Sequence, residues 1–304
     1  MTQRILFFGM AGIFSRAPLW HLIQNQINVC AIIVPRPAQS QPARDSIRLL
    51  APPRAPLSDL PLTQSSDPNI LAIARDTRIP IYETHTLSHS HTLDTLTGLK
   101  PDVIVVACFP FILPKRLITQ FPSLNLHPSF LPDYRGPAPL FWIFHDGLEH
   151  AGVTIHMMDE HADTGDIVAQ ERVALPDGIR YNDAEKILSD HAARLLIQSL
   201  RAIQNGARVR TPQSDAPAPR APNPTPRDYI ISTESSARRA FNFIRGVGDT
   251  NQITLQIGNE NKIVREAITF EENATTAEPL KRDGDFFRVR FSNGILHCRL
   301  LTND

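Results

Sequence analysis

Two short segments hold most of the side chains able to do chemistry. The first runs Asn125-Leu-His127-Pro-Ser129-Phe-Leu131-Pro132-Asp-Tyr-Arg135-Gly136, and the second Met158-Asp-Glu-His161-Ala162-Asp163-Thr164-Gly165-Asp166. Asn125 and His127 stand two apart. On a strand running through them their side chains share one face, and Pro128 ends regular pairing just beyond. An amide beside an imidazole suits acyl transfer, because a tetrahedral intermediate develops an oxyanion that preorganised donors stabilise. A carboxylate from a separate loop would orient the imidazole or, through water, take a proton from an attacking amine. Asp163 is the candidate for that role. Taken singly, Asn-x-His-Pro, Asp-Thr-Gly and Arg-Gly are ordinary turn formers. Their combination is what points to catalysis.

Other chemistries find less support. His145, His150, His156 and His161 follow His127 without a compact ligand pattern such as H-E-x-x-H, so no metal is expected. Gly9-Met-Ala-Gly12 lacks the G-x-G-x-x-G spacing of dinucleotide sites and reads as a tight strand-to-helix turn. The three cysteines, Cys30, Cys108 and Cys298, are far apart in sequence. Their odd number and spacing fit a reducing compartment, and the expected location is the cytoplasm. Lysine plus arginine equals aspartate plus glutamate at 31 each, which disfavours a global nucleic-acid coat or membrane-surface binder. The apolar stretch from Ile5 to Phe14 is broken at Gly9 and Gly12, as expected of a buried strand and helix rather than a secretory leader. No apolar run reaches the length of a membrane helix.

The elements that must position these residues follow from periodicity and proline. Arg4–Phe8, Val29–Val34, Asp102–Ala107 and Leu124–His127 read as short buried strands alternating with helices, which predicts a parallel α/β sheet of Rossmann-like type. Ligands of such sheets bind beyond the carboxyl ends of the strands, where Asn125 and His127 lie. The strongest helix spans Asn182 to Asn205, with Asn182 as N-cap and Gly206 as its end. Of 26 prolines, eight fall between Pro35 and Pro68 and six between Pro212 and Pro226. The first cluster reads as an inserted surface loop and the second as a stiff linker. The expected organisation is a catalytic domain over 1–207, a linker over 208–227 and a small β domain over 228–304. In that last domain Ser236–Arg245 reads as a helix capped by Gly246. Phe287, Val289 and Phe291 alternate with Arg288 and Arg290 before a hairpin turn at Asn293-Gly294.

The ordered series Asn125-x-His-Pro-Ser, Leu131-Pro132, Arg135-Gly136 and the delayed Asp163-Thr-Gly-Asp166 resembles the signature of the folate-dependent formyltransferases. The likeness runs from Arg4 to about Gly206 and more weakly beyond. It implies a Rossmann-like domain that binds 10-formyltetrahydrofolate as co-substrate, followed by a small OB-like barrel. It also implies that Asn125 and His127 hold the formyl oxygen as it becomes an oxyanion. In the same scheme Asp163 deprotonates the acceptor amine and keeps His127 suitably charged. The folate site of the family is built largely by backbone, which places it here at Phe111-Ile112-Leu113-Pro114, at Ser129, Leu131 and Pro132, and at Ala162, Thr164, Gly165 and Asp166.

By overall layout the expected acceptor is the methionyl amino group of initiator methionyl-tRNA. Arg36 and Arg44 of the Pro35–Pro68 stretch, with Arg135, are the candidates for contacting it. That stretch carries no lysine, and residues 220–304 hold twelve basic against eleven acidic residues, a modest electrostatic footprint for RNA. An amino-sugar nucleotide, which needs a compact pocket rather than a basic platform, is the alternative acceptor. Delivery of the formyl group to water is a second alternative, since water and amine attack use the same groups. A non-catalytic binding module is disfavoured by the intact Asn125, His127 and Asp163.

Overall fold

The computed structural model describes residues 3–36, 45–50, 69–207 and 210–301. They form two compact units: 1–132 with 153–171 and 186–216, and 133–152 with 172–185 and 217–304. Residues 133–152 and 172–185 thus group with the C-terminal part of the chain, beside the expected division into 1–207, a linker over 208–227 and 228–304.

The first unit is built on an eight-stranded sheet. Its strands are β1 (Arg4–Gly9), β2 (Asn28–Pro35), β3 (Ile47–Leu49), β4 (Ile81–Thr84), β5 (Val103–Ala107), β6 (Ser123–His127), β7 (Gly152–Met157) and β8 (Ile167–Arg172), in spatial order β3-β4-β2-β1-β5-β6-β7-β8. The pairs among β4, β2, β1, β5 and β6 are parallel, which gives the Rossmann-like centre. The pairs β3 to β4 and β6 to β7 are antiparallel. Residues of β5 are buried throughout, as continuous Val/Ile runs in a two-sided parallel sheet require. Helices α1 (Ile13–Gln24), α2 (Ile70–Thr77), α3 (Ser90–Gly98) and α4 (Lys115–Gln120) connect the strands. At Gly9 an added Cβ would lie 2.8 Å from the Phe7 ring. The space is needed because Ser15 Oγ, at the start of α1, accepts from the Met10 N–H and donates to the Ala107 carbonyl. The turn at Gly9 therefore stitches β1 to β5.

Next come α5 (Pro139–Asp146) and α6 (Tyr181–Gln204), the latter within one residue of the helix expected from its apolar stripe. The left-handed Gly206 (φ 84°) closes α6 as a C-terminal glycine should. Within the first unit, Ser189 of α6 donates to the Phe14 carbonyl of α1. The second sheet comprises β9 (Ile230–Ser232), β10 (Ile253–Ile257), β11 (Glu260–Glu271), β12 (Leu280–Asp283), β13 (Phe286–Phe291) and β14 (Gly294–Leu300), ordered β12-β13-β14-β11-β10-β9. All its pairs are antiparallel except β9 to β10. Phe291 pairs with Gly294 (φ 108°) across the expected hairpin turn.

Helix α7 (Ala237–Val247) begins one residue after the expected start, with Ser236 as its N-cap, whose hydroxyl accepts from the Arg239 N–H. It differs from expectation at its end, because Gly246 lies inside the helix instead of terminating it. The reason is packing: a Cβ on Gly246 would run into the buried Phe144 ring of α5. The proline-rich stretch expected as a stiff linker also makes backbone pairs within each unit. Proline cannot donate through nitrogen, yet carbonyls and the intervening residues still pair. In the first unit Thr211 exchanges both backbone hydrogen bonds with Ile167, and in the second Pro219 accepts from Tyr134 and Ala221 bonds Arg135. Ile47–Leu49 puts a short edge strand inside the expected Pro35–Pro68 loop, most of which lies outside the described residues.

Tyr134 donates to Asp146 at 3.0 Å in the second unit. Burial, then the neighbouring Asp146 carboxylate, push the Tyr134 phenol up. Burial alone would raise Asp146, but hydrogen bonds from His145 and Tyr134 outweigh it and hold the carboxyl below its ordinary value. Asp146 therefore adds stability above the ordinary carboxylate range and loses it as pH falls through its lowered value. Asp146→Asn should shrink the acid-side fall in stability, measured as Tm against pH. Gly246→Ala should destabilise the protein by roughly 1–3 kcal/mol of overpacking and so lower Tm, although glycine to alanine in an open helix would raise stability. Calorimetry reads the sign directly.

Candidate active site

Strand β6 delivers the first two residues of the site. Asn125 and His127 lie on its carboxyl-terminal half, and His127 is 4% exposed. Its antiparallel neighbour β7 sets Asn125 opposite His156 and His127 opposite Thr154. Cross-strand partners share a face, so His156 stands beside Asn125. The chain then leaves β7, turns through residues 158–166 and returns as β8. That turn carries Asp163 back beside β6 and β7, where Asp163 Oδ1 lies 3.3 Å from Asn125 Nδ2, 3.6 Å from His127 Nδ1 and 3.6 Å from His156 Nε2. The structure thus brings together the three residues singled out in the sequence and adds a fourth, His156. Its neighbourhood could not be read from sequence, because an antiparallel β6 to β7 pairing leaves no local signal.

Asp163 sits in the left-handed region at φ 58°, a conformation non-glycine residues adopt only when the surroundings enforce it. The enforcement is visible. Asp159 Oδ1 accepts from the His161 N–H and, with Oδ2, from Thr164 Oγ1, closing the turn from within. Met157 N donates to the Asp166 carbonyl, which ties the turn's two ends together. Gly165 packs so closely on the Met157 carbonyl that no Cβ fits there. From outside, Gln213 Nε2 donates to the carbonyls of Asp163 (2.9 Å) and Gly165 (2.7 Å). Gln213 belongs to the stretch read as a linker, so its role was invisible before the fold was known.

The other loop is held with equal care. Thr154 Oγ1 donates to the Ser129 carbonyl and accepts from the Leu131 N–H, while Gln170 donates to the Leu131 carbonyl. Ser129 and Leu131 are buried, and Pro132 follows a cis peptide. Among the residues expected at the folate site, Leu113 is a core side chain and Phe111 packs against that core through Phe109, so their side chains are structural. Ile112 is 64% exposed, Pro114 caps α4, and Ala162 is exposed on the Asp163 turn. Lys115 of α4 pairs with Glu160 of the same turn. Backbone and exposed apolar surface are thus what these segments offer a ligand.

The arginines assigned to the acceptor fare differently. Arg36 is 5% exposed, donating to Glu83 at 2.9 Å and to the Asp45 carbonyl, so it is committed to an internal ion pair. Arg44 lies outside the described residues, and Arg135 belongs to the second unit, where its backbone bridges to Arg220. Among the described residues no cluster of three or more His, Cys, Asp or Glu side chains is placed to hold a metal, and no helix is long and apolar enough to cross a membrane.

Replacing Gln213 by alanine removes both outer clips on the Asp163 turn without touching the core. Turnover should fall about tenfold, since small misplacements of a reacting group are costly, while Tm stays close to wild type. Unchanged turnover would show that the inner turn suffices.

The profile of the Formyl transferase family matches residues 3–200. A methionyl-tRNA formyltransferase of Kosmotoga olearia is 32% identical over 300 residues, covering 98% of this chain and 88% of the relative. One from Syntrophomonas wolfei is 32% identical over 230 residues, covering 74% and 73%. Among solved structures, an N-formyltransferase from Helicobacter canadensis in complex with folinic acid and dTDP-3-aminofucose superposes with a TM-score of 0.64 at 15% identity, over 99% of this chain and 100% of that one. The profile spans the whole of the Asn125, His127 and Asp163 arrangement, and the Kosmotoga relative extends almost from end to end. The chain belongs to the formyl transferase family.

Proposed function

We propose that the protein moves the formyl group of 10-formyltetrahydrofolate onto the methionyl amino group of initiator methionyl-tRNA. The observation that carries the chemistry is the convergence of Asn125, His127 and Asp163 at the carboxyl ends of a parallel sheet. The acceptor rests on relatives of that name that align along nearly the whole chain. In this reading the folate binds along the backbone of the segments that flank the site. The amine nitrogen attacks the formyl carbon, and His127 supplies an N–H to the formyl oxygen as it takes negative charge. Asp163, directly or through water, accepts the proton the amine sheds. Collapse of the intermediate breaks the bond from carbon to N10, and N10 regains a proton as tetrahydrofolate leaves. In this reading the six-stranded second sheet corresponds to the small OB-like barrel that the resemblance implies.

One observation favours the amino-sugar nucleotide as a second reading. Three arginines of the second sheet have partners: Arg290 donates to the Thr276 and Ala277 carbonyls, Arg299 pairs with Glu266, and Arg288 lies 3.9 Å from Glu271. Such pairs reduce the positive charge those three arginines offer to phosphates.

Incubation with 10-formyltetrahydrofolate, alone, with methionyl-tRNA, or with amino-sugar nucleotides, separates the readings. Tetrahydrofolate release stimulated by methionyl-tRNA is expected. Stimulation by an amino sugar alone would move the assignment to the second reading, and formate release without any acceptor would make the protein a hydrolase. Asp163→Ala and His127→Ala should each cut turnover by ~10²–10⁴-fold with folate binding retained. Wild-type rates in either variant would remove that residue from the mechanism.

A further inference from the structure

Phe243, Ile230 and Ile231 wall a cavity of about 200 Å³ within the second unit, at helices α5 and α7 and strand β9. Asn125, His127 and Asp163 belong to the first unit, and the chemistry above gives this cavity no task. Apolar cavities of ~150 Å³ already hold benzene, so the space suits a small organic molecule. Ile230 is 40% exposed, which leaves the apolar wall within reach of solvent.

His145, Arg239 and Ser232 interrupt that wall, and their hydrogen bonds show what each has left to offer. Arg239 donates through Nε to the His145 carbonyl, and its Nη2 lies 3.2 Å from His145 Nδ1 and 3.7 Å from Asp146 Oδ1. No described residue accepts from Arg239 Nη1. The Ser232 hydroxyl accepts from the Glu234 N–H, and its own proton has no acceptor among the described residues. The Ser235 hydroxyl, by contrast, is spent on the Ser232 carbonyl. Asp146 is spent as well: His145 Nδ1 lies 2.8 Å from its Oδ1, and the Tyr134 hydroxyl donates to Oδ2. Two unspent donors therefore stand beside an apolar wall, and the nearby carboxylate is already engaged.

Such a lining calls for a ligand with acceptor oxygens at one end and hydrocarbon at the other. A carboxylate suits a guanidinium, because its oxygens take charge-assisted N–H bonds in the plane of the fork. Asp146 beside Arg239 offsets part of the positive charge, which disfavours a doubly charged head such as a phosphate monoester. We propose that this cavity is a binding site for a small monocarboxylate with an apolar body. The carboxylate lies on Arg239 and Ser232, and the body lies against Phe243, Ile230 and Ile231. Such a site is independent of the formyl-transfer reading and of the acceptor which that reaction uses.

Titration of the full chain with hexanoate, hexanamide, hexylamine and hexyl phosphate, followed by calorimetry and by ¹H–¹⁵N shifts, tests the assignment. Hexanoate should bind with a Kd on the order of 0.1–1 mM and move the backbone signals of Ser232, Arg239 and Phe243. The amide and the phosphate share its body but not its head, and each should bind about tenfold more weakly; the amine should bind more weakly still. Arg239→Gln should weaken hexanoate about tenfold or more. Because Arg239 also holds the His145 carbonyl, Ser232→Ala serves as a second variant that leaves that bond in place, and it should weaken hexanoate about threefold. No binding of hexanoate up to about 10 mM would overturn the proposal. So would equal affinity for the amide or the phosphate, shifts confined to other residues, or wild-type affinity in either variant.

Discussion

The antiparallel pairing of β6 with β7 is the constraint on which the site depends. It is the point where a parallel sheet reverses, and its register places Asn125 against His156 and His127 against Thr154. From those four positions the rest follows. Thr154 clips the Ser129 to Leu131 loop, and His156 bonds the Asn125 amide. The turn between β7 and β8 brings Asp163 back to Asn125. A slip of one residue in that register would turn Thr154 and His156 to the face opposite Asn125 and His127.

The second ingredient is strain held by redundancy. Asp163 occupies a backbone conformation that costs on the order of 1–3 kcal/mol for a non-glycine residue. Asp159, the Met157 to Asp166 backbone bond, the close packing at Gly165 and the Gln213 amide each oppose its relaxation. The carboxylate proposed to take a proton is thereby positioned before substrate arrives, and the transition state does not have to organise it.

Much of this was legible in the sequence. The parallel strands, the long helix α6, the Asn293-Gly294 hairpin and the family resemblance rest on local signals: apolar runs, caps, turn residues and a two-part motif with defined order. What was not legible depended on contacts distant in sequence. His156 looked like one of several scattered histidines until register placed it beside Asn125. Gln213 looked like linker because proline spacing describes local stiffness and says nothing about what the intervening side chains reach. Gly246 looked like a helix end because glycine more often ends helices than makes room for a ring such as Phe144. Arg36 looked available for an acceptor until the fold paired it with Glu83, 47 positions away.

The central claim is that this arrangement transfers a formyl group from folate to a nitrogen. Following the carbon itself tests it most directly: protein, acceptor and 10-formyltetrahydrofolate labelled in the formyl carbon, with products separated after a single turnover. The account predicts label on the acceptor nitrogen, in equal amount to the tetrahydrofolate released. Label recovered only as formate, or left on the folate with methionyl-tRNA and amino-sugar nucleotides both present, would contradict it.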